Sequence, residues 1–97
     1  MELEIHHDPV GQKFYVELEN MEAVLAYTQI NKIWDVHQVI VPDKFSGQGI
    51  AEKLVLHVFN KARAKGYTII PSCPYIKDKF LKDHPEFDDV VEKKLKF

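Results

Sequence analysis

What this chain lacks narrows it quickly. It has one cysteine in 97 residues, so no internal disulfide can form. That suits a reducing, cytoplasmic setting. It has no apolar run approaching the ~20 residues of a bilayer-spanning helix. Its start, MELEIHHD, has neither a basic n-region nor an apolar h-region, so no secretory leader and no membrane partner are expected. It has no basic excess: 13 Lys and Arg face 15 Asp and Glu, for a net charge of −2. A nucleic-acid partner is therefore not expected. There is no internal repeat, low-complexity tract or linker. The length, 97 residues, leaves room for one domain, 1–97, and no second. A monomer is expected. What is present, 45% hydrophobic and 29% charged residues, is a globular composition.

The segment Glu2–His6 alternates, with Leu3 and Ile5 on one face, and predicts a first strand. His7-Asp8-Pro9-Val10-Gly11-Gln12 is turn chemistry. Phe14, Val16 and Leu18 alternate with polar neighbours, as a half-buried strand does. A hairpin turn at Glu19–Glu22 leads to a third strand at Ala23–Ile30. Asn31-Lys32 turns into a fourth at Ile33–Val41, which Pro42 ends. The period then changes. Ile50, Leu54, Val55, Val58, Phe59 and Ala62 recur at helical spacing, with Glu52, Lys53, Asn60 and Lys61 opposite. This predicts a helix from about Gln48 to Lys65, closed by Gly66. Tyr67–Ile70 is a short β-rich run ending at Pro71. Pro74 then suits a first helical position, Ile76, Phe80 and Leu81 form an apolar stripe, and His84-Pro85 ends that helix. The tail, with its basic Lys93-Lys94-Leu95-Lys96, fits a short helix or a last strand. The fold class is α/β (α+β): a mostly antiparallel sheet, one parallel strand–helix–strand crossover, and a C-terminal helix.

Phe45-Ser46-Gly47-Gln48-Gly49-Ile50-Ala51 joins the fourth strand to the long helix. Two glycines let backbone approach a ligand, and a helix N-terminus offers free N–H groups and partial positive charge. Together they suit phosphate or pyrophosphate. Gly-x-Gly before a helix is also ordinary turn chemistry, and composition alone leaves both readings open. The segment is neither a P-loop nor a dinucleotide fingerprint, because it lacks Gly-Lys-Ser/Thr and a third glycine.

With the preceding Val39-Ile40-Val41-Pro42, this segment resembles the acyl-CoA-binding motif of the GCN5-related N-acetyltransferase superfamily, Gln/Arg-x-x-Gly-x-Gly/Ala. Ser46 replaces its first position, so Lys44 or Lys53 is a candidate for the missing charge. Nearly the whole chain resembles the short members of that superfamily, through Ile69-Ile70-Pro71-Ser72-Cys73-Pro74-Tyr75 and His84-Pro85-Glu86. The resemblance implies a minimal fold of that type that binds acetyl-CoA and transfers the acetyl group to an amine acceptor at an open site, with a protein as one candidate acceptor. The alternative is an acyl-CoA-binding or sensing module with little transfer activity. It implies cofactor contacts from the backbone of Val39, Ile40 and Val41 to the pantetheine, and from Ser46, Gly47, Gln48, Gly49, Ile50 and Ala51 to the pyrophosphate. Cys73, at a helix start, is the first candidate for catalysis, as acid or nucleophile. A small buried hydrophobe is its other reading. Tyr75 is a second catalytic candidate, with packing as its alternative.

No metal is expected, since His6-His7-Asp8 lacks further ligands at recognisable spacing. His37 lies one residue before the position of the family histidine and should face away from Gln38. His57 should be solvated, and His84 should sit on a helix C-terminal dipole. Glu17, Glu19 and Asp35 are strand carboxylates that could act as a base. Members of the superfamily usually insert helices between the first two strands as one acceptor wall. The short His7–Gln12 turn predicts an open acceptor side.

Overall fold

The protein was analysed as a computed structural model, in which residues 3–93 are described. Five strands form one sheet in the order β1-β2-β3-β4-β5. They are β1 (His6–Asp8), β2 (Lys13–Leu18), β3 (Met21–Ile30), β4 (Ile33–Ile40) and β5 (Thr68–Pro71). The first four pair antiparallel, and β5 runs parallel to β4 after helix α1 (Ile50–Lys65). Parallel neighbours need such a crossover. A π-helical stretch, Ile76–Phe80, runs into a short helix α2 (Leu81–Asp83), and a 3-10 segment, Pro85–Val90, follows.

The turns obey local chemistry. Glu19 and Asn31 take positive φ of 57° and 55° in two-residue hairpin loops. Gly66 ends α1 at φ 76°, and Tyr67 N–H reaches back to the carbonyl of Ala62 at 2.8 Å. That six-residue closure needs a left-handed residue, which glycine supplies without strain. The first strand differs from expectation. It is His6–Asp8, while Leu3 and Ile5 pack against the core outside any strand. Hydrogen bonding with β2 sets its place: His6, His7 and Asp8 pair with Tyr15, Phe14 and Lys13. The expected start at Glu2, and the basic residues from Lys94 on, lie outside the described residues. The tail is a 3-10 turn followed by a single parallel bridge from Val91 to Ile69.

One core forms between one sheet face and the helices. It includes Phe14, Leu25, Trp34 and Val36 from the sheet and Leu54, Val58 and Phe59 from α1. Ile76, Phe80 and Phe87 close it at the C-terminal end. The odd residues Ala23, Leu25 and Tyr27 of β3 are buried, and none of its even residues is. The opposite sheet face therefore carries a different, wetter set of side chains.

A bulge in β4 decides what reaches the loop beyond it. Ala26 faces Gln38 but Tyr27 faces Val36, so His37 is an extra residue on β4. One extra residue exchanges the two faces of a strand. Before the bulge Trp34 and Val36 point inward; after it Val39 and Val41 pack against the core. This corrects the expectation for His37. Its Nε2 lies 2.6 Å from Thr28 Oγ1, and Gln38 pairs with Ala26, which shares a face with Thr28. His37 and Gln38 thus lie on one face, because strict alternation fails at a bulge.

Candidate functional site

β5 pairs with β4 only from Ile33↔Thr68 to Val36↔Pro71. One further link, Cys73 N–H to the Val36 carbonyl at 2.9 Å, closes the pair. β4 then continues through Ile40 with β3 on its other side, so its far edge leaves β5 behind. The chain beyond makes a 3-10 turn at Asp43–Phe45 and passes through the glycine loop into α1.

The loop is built for exposed backbone. Gly47 and Gly49 take φ of 78° and 76°, and a Cβ on either would meet no atom within 4 Å. The glycines are there for conformation rather than clearance. Gly49 is the N-cap of α1, and no side chain caps that end. The nearby hydroxyl, on Ser46, turns back to the carbonyl of Asp43 at 3.0 Å. The first N–H groups of α1 are left to whatever occupies the space before them.

That space is a cavity of about 350 Å³. Of the expected cofactor residues, Val41, Ser46, Gly47, Gly49, Ile50 and Ala51 line it; Val39, Ile40 and Gln48 do not. Val39 packs on the core, and Ile40 is exposed. Tyr75 and Lys79, from the helical stretch, line the cavity too, as do Phe45 before the loop and Glu52 in the first turn of α1. Burial raises the Tyr75 pKa, helped by the negative charges of Glu52 and Asp83. Its phenol is therefore held protonated at neutral pH. Cys73 does not line the cavity. It is buried within the core, and its carbonyl accepts the N–H groups of Ile76 and Lys77, both at 3.1 Å, which starts the helical stretch.

The charges divide differently from the sequence reading. Lys44 is paired with Glu19 at 2.6 Å, tying the loop to the β2–β3 hairpin. Lys79 is the cation on the wall. Its place four residues after Tyr75, on the same helical face, was the available signal. Glu52, expected on the polar side of α1, lines the cavity and pairs with His84 at 3.0 Å. His84 sits at the C-terminal end of α2, as expected, and from there ties that end to the start of α1. Of the three candidate bases, Glu17 is exposed, Glu19 holds Lys44, and Asp35 accepts a hydrogen bond from Ser72 Oγ at 2.5 Å. None of them lines the cavity. His57 is half-buried beside Phe14, ring centroids 5.9 Å apart, rather than solvated. Among the described residues no group of three or more His, Cys, Asp or Glu is placed to hold a metal. No described helix is long and apolar enough to cross a membrane.

A splayed parallel pair, a bulged fourth strand and an uncapped helix N-terminus beside a glycine loop define a small α+β fold with a cleft at the start of α1. Residues 13–90 match the model of the GCN5-related N-acetyl-transferase family, and the chain belongs to that family. It is similar to a GCN5-like protein from Staphylococcus aureus whose solution structure was determined by NMR. The TM-score is 0.72 at 29% identity, over 96% of this chain and 91% of that one.

Proposed function

We propose that this chain binds acetyl-CoA and passes its acetyl group to an amine on an acceptor at an open side of the sheet. One observation carries the reading: a single cavity joins the glycine loop and uncapped start of α1 to Val41, just past β4, and to Tyr75. The residues fit the group. Backbone N–H groups at Gly49–Ala51 suit a pyrophosphate. The unshared edge of β4 suits the pantetheine amides by strand addition, which needs no particular side chain. Acetyl-CoA supplies the activated thioester carbonyl.

In the transfer, the amine nitrogen forms a bond to the acetyl carbon and the carbon–sulfur bond breaks. The amine loses a proton to solvent, and the departing thiolate gains one. Tyr75 is our choice for that proton donor. It stands in the cavity wall with its phenol protonated. Cys73 is packed in the core, and its carbonyl accepts the Ile76 and Lys77 N–H groups at the start of the segment that carries Tyr75. The acceptor side is open because β1 and β2 are joined by four residues, 9–12, and no helix lies between them. An exposed amine on a large acceptor, such as a protein lysine, suits it best.

Calorimetric titration with CoA and acetyl-CoA tests the binding. Acetyl-CoA turnover with and without a panel of amines and lysine peptides tests the transfer. Absence of CoA binding at millimolar concentration defeats the proposal. Binding with no amine-dependent turnover leaves an acyl-CoA-binding module in place of a transferase.

A further inference from the structure

His84 follows α2 at the corner made with Pro85. Its ring lies on Phe80 with centroids 4.6 Å apart, and its side chain is 19% exposed. Nε2 is 3.0 Å from a carboxylate oxygen of Glu52, and Nδ1 is 3.3 Å from one of Glu86. An ionised carboxylate only accepts, and a neutral imidazole has one N–H to give. Both contacts are hydrogen bonds only when the ring carries both protons. Glu52, in the first turn of α1, also lines the cavity beside the glycine loop. A bare carboxylate there opposes a phosphate, while one paired with an imidazolium does not.

We propose that His84 is a positioning residue for CoA binding: as the imidazolium it masks Glu52 at the cradle, so affinity for CoA falls as pH rises. The inference rests on the reading of that cavity given above.

The surroundings support it. Tyr75 and Lys79 line the cavity with Glu52, the charges of Glu52 and Asp83 both act on the Tyr75 phenol, and Glu86 meets Nδ1 of the ring. Arg63 is engaged by the Glu86 carbonyl at 2.8 Å and by Asp89 at 2.6 Å. Of this set, the imidazole is the group whose charge changes near neutrality. The hydrogen bond to Glu52 raises the His84 pKa above 6.5, with Glu86 adding to it. Below the folded pKa the Glu52–His84 pair is neutral. Above it, one negative charge stands at the cavity wall. A single charge several ångströms from a phosphate in a half-wet site changes Kd by roughly 3–10-fold.

The test is titration calorimetry with CoA from about pH 5.5 to 8.5, spanning the imidazole range, on the parent, Glu52→Gln and His84→Asn. CoA's own phosphate monoester also titrates near pH ~6, so the quantity read is the ratio of His84→Asn Kd to parent Kd at each pH. That ratio is expected at about 3–10 at low pH and near one at high pH. His84→Asn should bind like the parent at high pH throughout. In ligand-free protein, NMR titration of the His84 ring should show its pKa fall in Glu52→Gln. A ratio that stays constant while CoA binds, or an unmoved His84 titration, overturns the inference alone. A parent that binds no CoA at any pH overturns the reading of the cavity and this inference with it.

Discussion

The Tyr27 hydroxyl stands 2.6 Å from Nε2 of His7, under a ring stack that joins β1 to the core. His7 lies flat on Phe14, ring centroids 4.0 Å apart at 8°. The Lys61 ammonium, 3.4 Å from Nδ1, can only donate. Nδ1 is therefore the acceptor, and the ring proton sits on Nε2 and is given to Tyr27. This contact helps the His7–Phe14 and His6–Tyr15 stacks anchor the short first strand, whose three residues offer few backbone bonds of their own. Tyr27→Phe keeps the ring and removes the acceptor. It should cost about 1 kcal/mol in urea unfolding, the usual net worth of such a bond. An unchanged midpoint would show that the contact does not hold β1.

The same cluster gives folding a pH dependence of definite sign. Burial, then the positive charge of Lys61, lowers the His7 pKa below 6.5. Burial and Lys61 lower that of His57 as well. The unfolded chain therefore binds more protons between the folded and unfolded pKa values, and stability rises with pH there. These two residues favour the fold above pH 6.5, and that support is lost as pH falls through their lowered folded values. His84 acts oppositely: its raised pKa adds stability below 6.5 that is lost as pH rises through the folded value. Urea midpoints measured down to roughly pH 5 should fall less steeply in His7→Gln than in the parent, and more steeply in His84→Gln. Parallel curves for all three proteins would contradict this assignment.

Residue chemistry made some of this visible in advance and hid the rest. Alternation at Phe14, Val16 and Leu18, and helical spacing from Ile50 to Ala62, named the buried faces of β2 and α1 correctly. Gly66 announced the left-handed end of α1, whereas Gly47 and Gly49, read as room for a ligand, supply positive φ where a Cβ would meet nothing. The bulge at His37 left no such mark. It depends on how β3 and β4 meet, and alternation counted past it puts His37 on the wrong face. The first strand was misplaced by a similar cause: pairing with β2 outweighed the local pattern of Leu3 and Ile5. Lys79 and Glu52 came to the cavity through tertiary packing of two helical segments. Polar residues on a helix face do not reveal which of them will look into a cleft.

Gly49 provides the sharpest backbone test. Its φ is 76°, it caps α1, and a Cβ there meets nothing within 4 Å. Gly49→Ala therefore acts through conformation, costing about 1–2 kcal/mol for a non-glycine residue in the left-handed region. Relief of that strain would turn the first N–H groups of α1 away from the cavity. The variant should stay folded by circular dichroism and lose at least about tenfold in CoA affinity, the equivalent of ~1.4 kcal/mol. Gly66→Ala has a similar φ of 76° at the far end of the helix. It should lose comparable stability and keep CoA affinity. Equal loss of affinity in both variants would point to general destabilisation of α1.

Tyr75 and Cys73 separate catalysis from support. The phenol lines the cavity and is held protonated by burial and by the charges of Glu52 and Asp83. The thiol is buried in the core, away from the lining residues. If Tyr75 delivers the proton to the leaving thiolate, Tyr75→Phe should lower kcat by about 10²–10⁴, the usual span for general acid catalysis, with KM for acetyl-CoA nearly unchanged. Cys73→Ala removes one buried sulfur. It should cost roughly 1–2 kcal/mol in urea unfolding, within the range of ordinary core truncations, and leave kcat within a few-fold at a temperature where the variant is folded. Intact mass after incubation with acetyl-CoA should then show no acetyl group on the parent at Cys73. Loss of turnover in a folded Cys73→Ala protein, or an acetylated Cys73 that discharges when amine is added, would move the chemistry from the phenol to the thiol. It would also make the transfer a two-step reaction through a covalent intermediate.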